Sequence, residues 1–234
     1  YIYDSSMPRG LNLWTGWKLK VFAEYYQQPT EKGDMQTIGM DLRHSLKVHR
    51  DLILVNRIAG NTSLGSRRLI HFLGGVDNWL FAKFDPSIPI DFTQNYYYQT
   101  MAVPMRGFSY NARNGTSFAV INNELRVPII RYLVNRPIRS DLFNHFQLAA
   151  FGDIGAAWTG SDPYSSDNTF NRITISQNPL TITLNSQREP ILASYGFGMR
   201  TRLLGYFVRA DWAWGIDDGV VQPRVFHFSL SLDI

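Results

Sequence analysis

The sequence predicts an all-β chain, folded as an antiparallel transmembrane barrel of the outer-membrane type. Three observations carry that prediction. Most of the chain alternates apolar and polar residues with period two. The alternating segments run to roughly eleven residues, near the ~9–11 needed to cross a bilayer and longer than ordinary soluble strands. Tight turns alternate with long polar loops, as they do on the two sides of an outer-membrane barrel. A soluble β-sandwich also alternates, but with shorter strands and more even loops.

The elements follow in order. Residues 15–27 set Trp17, Leu19, Val21, Ala23 and Tyr25 against Lys18, Lys20, Phe22, Glu24 and Tyr26. Residues 35–48 set Ile38, Met40, Leu42, Leu46 and Val48 against Thr37, Gly39, Asp41, Arg43, Ser45 and Lys47. A turn near His49–Arg50 leads into residues 52–63, whose facing is ambiguous because Asn56 and Arg57 put a polar group on each side. Residues 64–116 then form a loop rich in Gly, Pro, Asn and Tyr with no pattern of its own. A loop so far beyond the usual length is expected to be functional or folded inward.

Alternation resumes at 116–128, where Phe118, Val120, Asn122, Glu124 and Arg126 oppose Ala119, Ile121, Leu125 and Val127. After a polar turn at 135–141, residues 145–158 set Phe146, Leu148, Ala150, Ile154, Ala156 and Trp158 against His145, Gln147, Phe151 and Asp153. A Ser/Asn/Thr/Pro-rich loop at 159–190 precedes three closing strands at 191–203, 205–215 and 224–234. In the last, Phe226, Phe228, Leu230, Leu232 and Ile234 share the apolar face of a closing and targeting strand. That makes about eight strands, and residues 1–234 read as one barrel domain or barrel half. Trp14, Trp17, Tyr25, Trp158, Trp212 and Trp214 fall near strand ends, where amphipathic rings meet the membrane interface.

Composition narrows the function. A hydrophobic share of 44% excludes disorder, and 18% charged residues is low for a soluble protein. With no cysteine, disulfides, thiolate metal sites and cysteine nucleophiles are excluded. The net charge of +4 comes from 18 Arg and 5 Lys scattered along the chain, unlike the clustered patches of nucleic-acid binders, so no nucleic-acid partner is expected. No run approaches the ~18 apolar residues of a spanning helix. Tyr1 opens the chain without the pattern of a signal peptide, which reads as a mature protein or a piece of a longer one.

The five histidines, at 44, 49, 71, 145 and 227, lack metal-ligand spacing and read as surface or lumen residues. No nucleophile elbow, Walker loop or zincin motif occurs. The chain therefore reads as non-catalytic, with no cofactor or metal. Arg126, Asp153, Arg200, Arg202, Arg209 and Asp211 lie opposite the aliphatic row, and the default reading is a water-filled lumen face.

One group stands apart. Arg106-Gly107-Phe108 lies late in the long loop, the next strand carries Glu124, and the one after it carries Asp153-Ile154-Gly155. A loop folded into the lumen would bring Arg106 to both carboxylates, where a bidentate contact would hold it. This arrangement resembles the C-terminal barrel of the Omp85 superfamily, also called bacterial surface antigens. In that family an Arg-Gly-Phe/Tyr tip on a lid loop meets acidic residues on the next two strands, the second within Asp-x-Gly. The Gly-rich Tyr195–Gly198, the Arg-x-Asp of Arg209–Asp211 and the aromatic last strand agree with it. The wording of Leu73–Trp79 is similar to Bacteroidota members that place the barrel after a TolB-like propeller.

The resemblance implies the C-terminal half of a sixteen-stranded barrel in the bacterial outer membrane, with residues 64–116 as a lumen-entering lid. It implies insertion or translocation of proteins there, surrounded by outer-membrane lipid and lipopolysaccharide, with other outer-membrane or periplasmic proteins as partners. The alternatives are a structural or accessory barrel anchoring a periplasmic or surface domain in a larger complex, and the anchor of a secreted lipase-type enzyme. The chain departs from the family in ending Asp233-Ile234 where an aromatic is common, and in its strand count.

Overall fold

A computed structural model describes residues 1–27, 33–92, 94–102, 104–134, 138–168, 170–177, 179–185 and 188–232. Its elements are β1 (Ile2–Asp4), β2 (Met7–Gly10), β3 (Leu13–Gln27), β4 (Asp34–His49), β5 (Leu52–Leu64), β6 (Arg68–Leu73), β7 (Tyr96–Met101), β8 (Arg113–Gly115) and β9 (Ser117–Val127). Then come α1 (Ile129–Leu133), α2 (Asp141–Asn144), β10 (Gln147–Trp158), β11 (Arg172–Gln177), β12 (Leu180–Asn185), β13 (Leu192–Leu203), β14 (Tyr206–Asp217), β15 (Val220–Val221) and β16 (Val225–Leu232). The chain is all-β, dominated by one large antiparallel sheet in the order β1-β3-β4-β5-β9-β10-β13-β14, with β16 on the far side of β14. Among the described residues no pairing joins its two ends, so the sheet is open while its architecture is compatible with a barrel.

The long strands pair in chain order, with the 64–116 segment inserted between β5 and β9, which pair directly with Ile58 opposite Ile121, and the β11–β12 hairpin inserted between β10 and β13. The tight turns need left-handed backbone: Leu204 and Gly205 both have positive φ, as do Asp218 and Gly219. The 159–190 connection contains the β11–β12 hairpin, and 128–146 contains the two short helices where a plain turn was expected. The first strand is itself flanked by β1 and β2, which a Pro8 and a register shift disguise in the sequence.

The polarity of the sheet is inverted relative to a soluble protein. On β10 Asp153 is 1% exposed while Ile154 beside it is 50% exposed. The same holds across the sheet: Thr37, Glu124, Arg200 and Asp211 are buried, and Ile38, Ile58, Ile121 and Phe197 are exposed. Soluble sheets put their aliphatic face inward, so this one presents to its surroundings what others hide. Arg57 points to the buried side, bonding Asp41 at 3.1 and 2.6 Å. Asn56 then lies on the outward side, in register with His44 and Asn123. Trp212 sits mid-strand rather than at an end, because β14 runs on to Asp217, and it stacks outward on Phe197.

The 64–116 insert covers the inward face. Its Leu73, Ala102, Met105, Phe108 and Ala112 form one buried cluster with Phe118, Val120, Ala157 and Leu192 of the sheet. β6 pairs with β7 and β8 in a small sheet of its own, a mixed arrangement with no counterpart in the sequence reading. No described helix is long and apolar enough to cross a membrane, which leaves crossing by strands untouched.

Candidate functional site

Arg106 is where the insert meets the sheet. Its Nε donates to Asp153 Oδ2 at 2.8 Å and its Nη2 to Asp153 Oδ1 at 2.7 Å, a bidentate fork. Nη1 donates to Glu124 Oε2 at 2.5 Å, and the guanidinium lies 3.6 Å over the Phe151 ring. β9 and β10 place these groups because Phe151 pairs with Glu124 and Asp153 with Asn122, which puts Phe151, Asp153 and Glu124 on one inward face. All three charged side chains are buried. A planar, permanently charged fork between two carboxylates suits such a site better than a lysine would.

The site extends further than Arg106 and its two partners. Glu124 also accepts from Arg126 Nε at 2.6 Å and from Arg200 Nη2 at 2.8 Å. Arg200 and Arg209 flank Asp211 at 3.6 and 3.4 Å. Arg200 is 2% exposed and Asp211 is fully buried, so the expectation of a water-filled face fails here. These residues form a packed charge network, filled from above by the insert.

Gly107 follows with φ +84, and a Cβ there would stand 2.7 Å from Gly215 N and 2.9 Å from the Trp214 carbonyl carbon. Glycine is required twice over, by backbone conformation and by close approach. Its N–H donates to His227 Nε2 at 3.0 Å, which assigns the His227 proton to Nδ1. Phe108 packs on the bare backbone of Gly215, whose missing Cβ would lie 2.6 Å from the ring. Two consecutive insert residues thus reach β9, β10, β14 and β16, so the sheet must curl around the tip.

Of the remaining expected site residues, Gly155 lies where a Cβ would meet Val120 and Leu73 of β6, the latter within the insert. Phe226, Phe228 and Leu230 lie on the outward side of β16, with Phe226 against Trp212. Leu232 pairs with Tyr206 through its backbone, and Ile234 lies outside the described residues. Two buried histidines escaped the reading of surface or lumen residues. His227 belongs to the site, and His71, on β6 of the insert, lies edge-on to Phe118 of β9 at 4.8 Å, with neither ring nitrogen hydrogen-bonded. Burial pushes the His71 imidazole down to about 4.

A cavity of about 600 Å³ opens beside the network, lined among others by Asn12, Arg43, Asp77, His145, Arg209 and Ser229. Its walls come from both ends of the sheet. Among the described residues there is no group of His, Asp and Glu that would hold a metal ion.

No family model matches this chain. A search of curated proteins finds no match either.

Proposed function

We propose that this chain forms the C-terminal barrel half of an Omp85-like outer-membrane protein that takes part in inserting or translocating proteins at that membrane. The inverted polarity of the sheet is the observation that carries the membrane part. An exposed row such as Ile38, Ile58, Ile121 and Ile154 is costly in water and favourable in hydrocarbon, while the charged row opposite it is enclosed and paired. Every backbone polar group in lipid must be satisfied, which a curled sheet achieves once its two ends are joined by further strands. The seating of the Arg-Gly-Phe tip on carboxylates of two successive strands supports the family part.

On this reading residues 64–116 act as the lid, and the work is done by strand pairing and lid movement, without cofactor or catalytic group. The accessory reading draws on a different observation: the insert fills the inward face with apolar side chains, as a plugged anchor would. Reconstitution separates the two. The intact protein in outer-membrane lipid vesicles should speed the appearance of protease-resistant product from a urea-unfolded outer-membrane barrel. Correctly folded protein that leaves that rate at the value of empty vesicles would overturn the insertion role and leave the anchor.

A further inference from the structure

β16 hydrogen-bonds to β14 on one side, with Phe226 opposite Trp212 and Leu230 opposite Val208. Its other edge would be bare N–H and C=O, a template for any extended chain. Among the described residues the insert occupies the middle of it. Leu80 N–H donates to Phe228 O at 3.0 Å, and Trp79 stands opposite Ser229 as an antiparallel bridge. The Trp79 ring is buried against His227 at 4.5 Å and Tyr110 at 5.7 Å. The next two side chains, Leu80 and Phe81, are 51% and 68% exposed. Two residues thus sit as a minimal strand, held by one ring and a backbone bond.

What lies behind them ties this strand to the tip. Tyr110 O–H donates to Val76 O at 2.6 Å, Tyr110 N–H to Lys83 O at 2.8 Å and Gly75 N–H to Phe108 O at 3.1 Å. Segments 75–83 and 105–110 are therefore tied to each other by these three hydrogen bonds. The pair is fixed by Arg106 on Asp153 and Glu124, and by Gly107 on His227, the same imidazole that seats Trp79.

We infer that Trp79 and Leu80 are a built-in strap over the free edge of β16, held closed by the Arg106 anchor. While the anchor is seated, the edge is taken. When the anchor lets go, the strap leaves with it and β16 is free to pair with another strand. The bonds concerned are main-chain bonds, so the strap excludes any antiparallel strand regardless of its side chains. It bears on the proposed function: a further strand closing a barrel at β16 would take this same edge, so strap and closing strand are alternatives there.

Hydrogen exchange on the folded, intact chain tests it. The Leu80 amide and the 226–232 peptide should be protected, and Arg106→Ala should speed exchange at both at least tenfold, with residues 34–64 unchanged. Leu80→Pro, which removes the donor N–H, should expose 226–232 while 105–110 stays protected. Because the chain has no cysteine, Trp79→Cys with Ser229→Cys adds a second reading: a disulfide within the chain, falling severalfold on addition of Arg106→Ala. Should Arg106→Ala fail to fold, Asp153→Asn weakens the same anchor while Arg106 keeps Glu124, and it should speed exchange at the same two places by a smaller factor. A Leu80 amide that exchanges at the free-peptide rate in the folded native protein would overturn the strap. Protection or disulfide yield unaffected by loss of the anchor would overturn the coupling.

Discussion

Arg106→Ala removes the cation from a site where Asp153 is wholly buried and Arg106 nearly so. The two carboxylates are left in unequal positions. Glu124 keeps Arg126 and Arg200 at 2.6 and 2.8 Å, whereas Asp153 pairs with Arg106 alone among the described residues. Stranding a buried charge costs about 3–5 kcal/mol, which is roughly two to four decades in the equilibrium between seated and released insert. Asp153→Ala leaves Arg106 its bond to Glu124, so its cost should be nearer ~1–3 kcal/mol. The double variant no longer strands Asp153, and it should be no less stable than Arg106→Ala alone. The assay is limited proteolysis of the native-like protein in detergent, scored by cleavage between 64 and 116, with urea unfolding for the same four proteins. Losses that simply add would refute the argument, because they would mean that the two side chains stabilise the insert through separate contacts.

Three other perturbations follow. His71 is held at about 4 by burial, below the ~6.5 of an unfolded histidine. The stabilisation is complete above that unfolded value and is lost as pH falls from about 6.5 toward 4, by up to ~3 kcal/mol. Insert cleavage should rise over that window, and His71→Phe, which leaves no ring nitrogen unpartnered, should flatten the profile. Gly107→Ala should release the tip at a cost of at least ~1–3 kcal/mol from φ alone, read as cleavage like that of Arg106→Ala; unchanged protection would contradict the tight approach to Gly215. Leu230→Arg should lower outer-membrane yield, at about 2–4 kcal/mol near mid-bilayer, while Ser231→Arg on the inward side should be tolerated, and equal yields would contradict the assigned faces.

How much of this was legible depended on how each residue is surrounded. Strands with one apolar exposed face and one polar enclosed face carry a clean alternation, so β3, β4, β9 and β10 could be read with their facing. β6 could not: in Arg68–Leu73 the last four residues are all buried, leaving no alternation to see. β11 and β12 alternate, but within a Ser/Thr/Asn-rich stretch that reads as loop. Arg106, Glu124 and Asp153 stood out because a tip motif and two carboxylates fall in successive segments. Arg200, Asp211 and His227 did not, because their place in the network depends on the register of four strands. One signal was available: Gly196 and Gly198 share the inward face of β13, and a Cβ at Gly198 would collide with the Asp211 carboxylate. Glycines alternating on a polar face mark room for charged neighbours.

The central claim is that the exposed apolar face of this sheet meets lipid. Single cysteines along β10 in the otherwise cysteine-free chain, spin-labelled in lipid bilayers, measure it directly through collision with oxygen and with a polar nickel reagent. Labels at Leu148, Ala150 and Ile154 should be reached by oxygen and shielded from nickel, with the intervening Ala149, Phe151 and Gly155 showing neither in full. Nickel access at 148, 150 and 154 equal to that of a water-exposed loop would contradict the account.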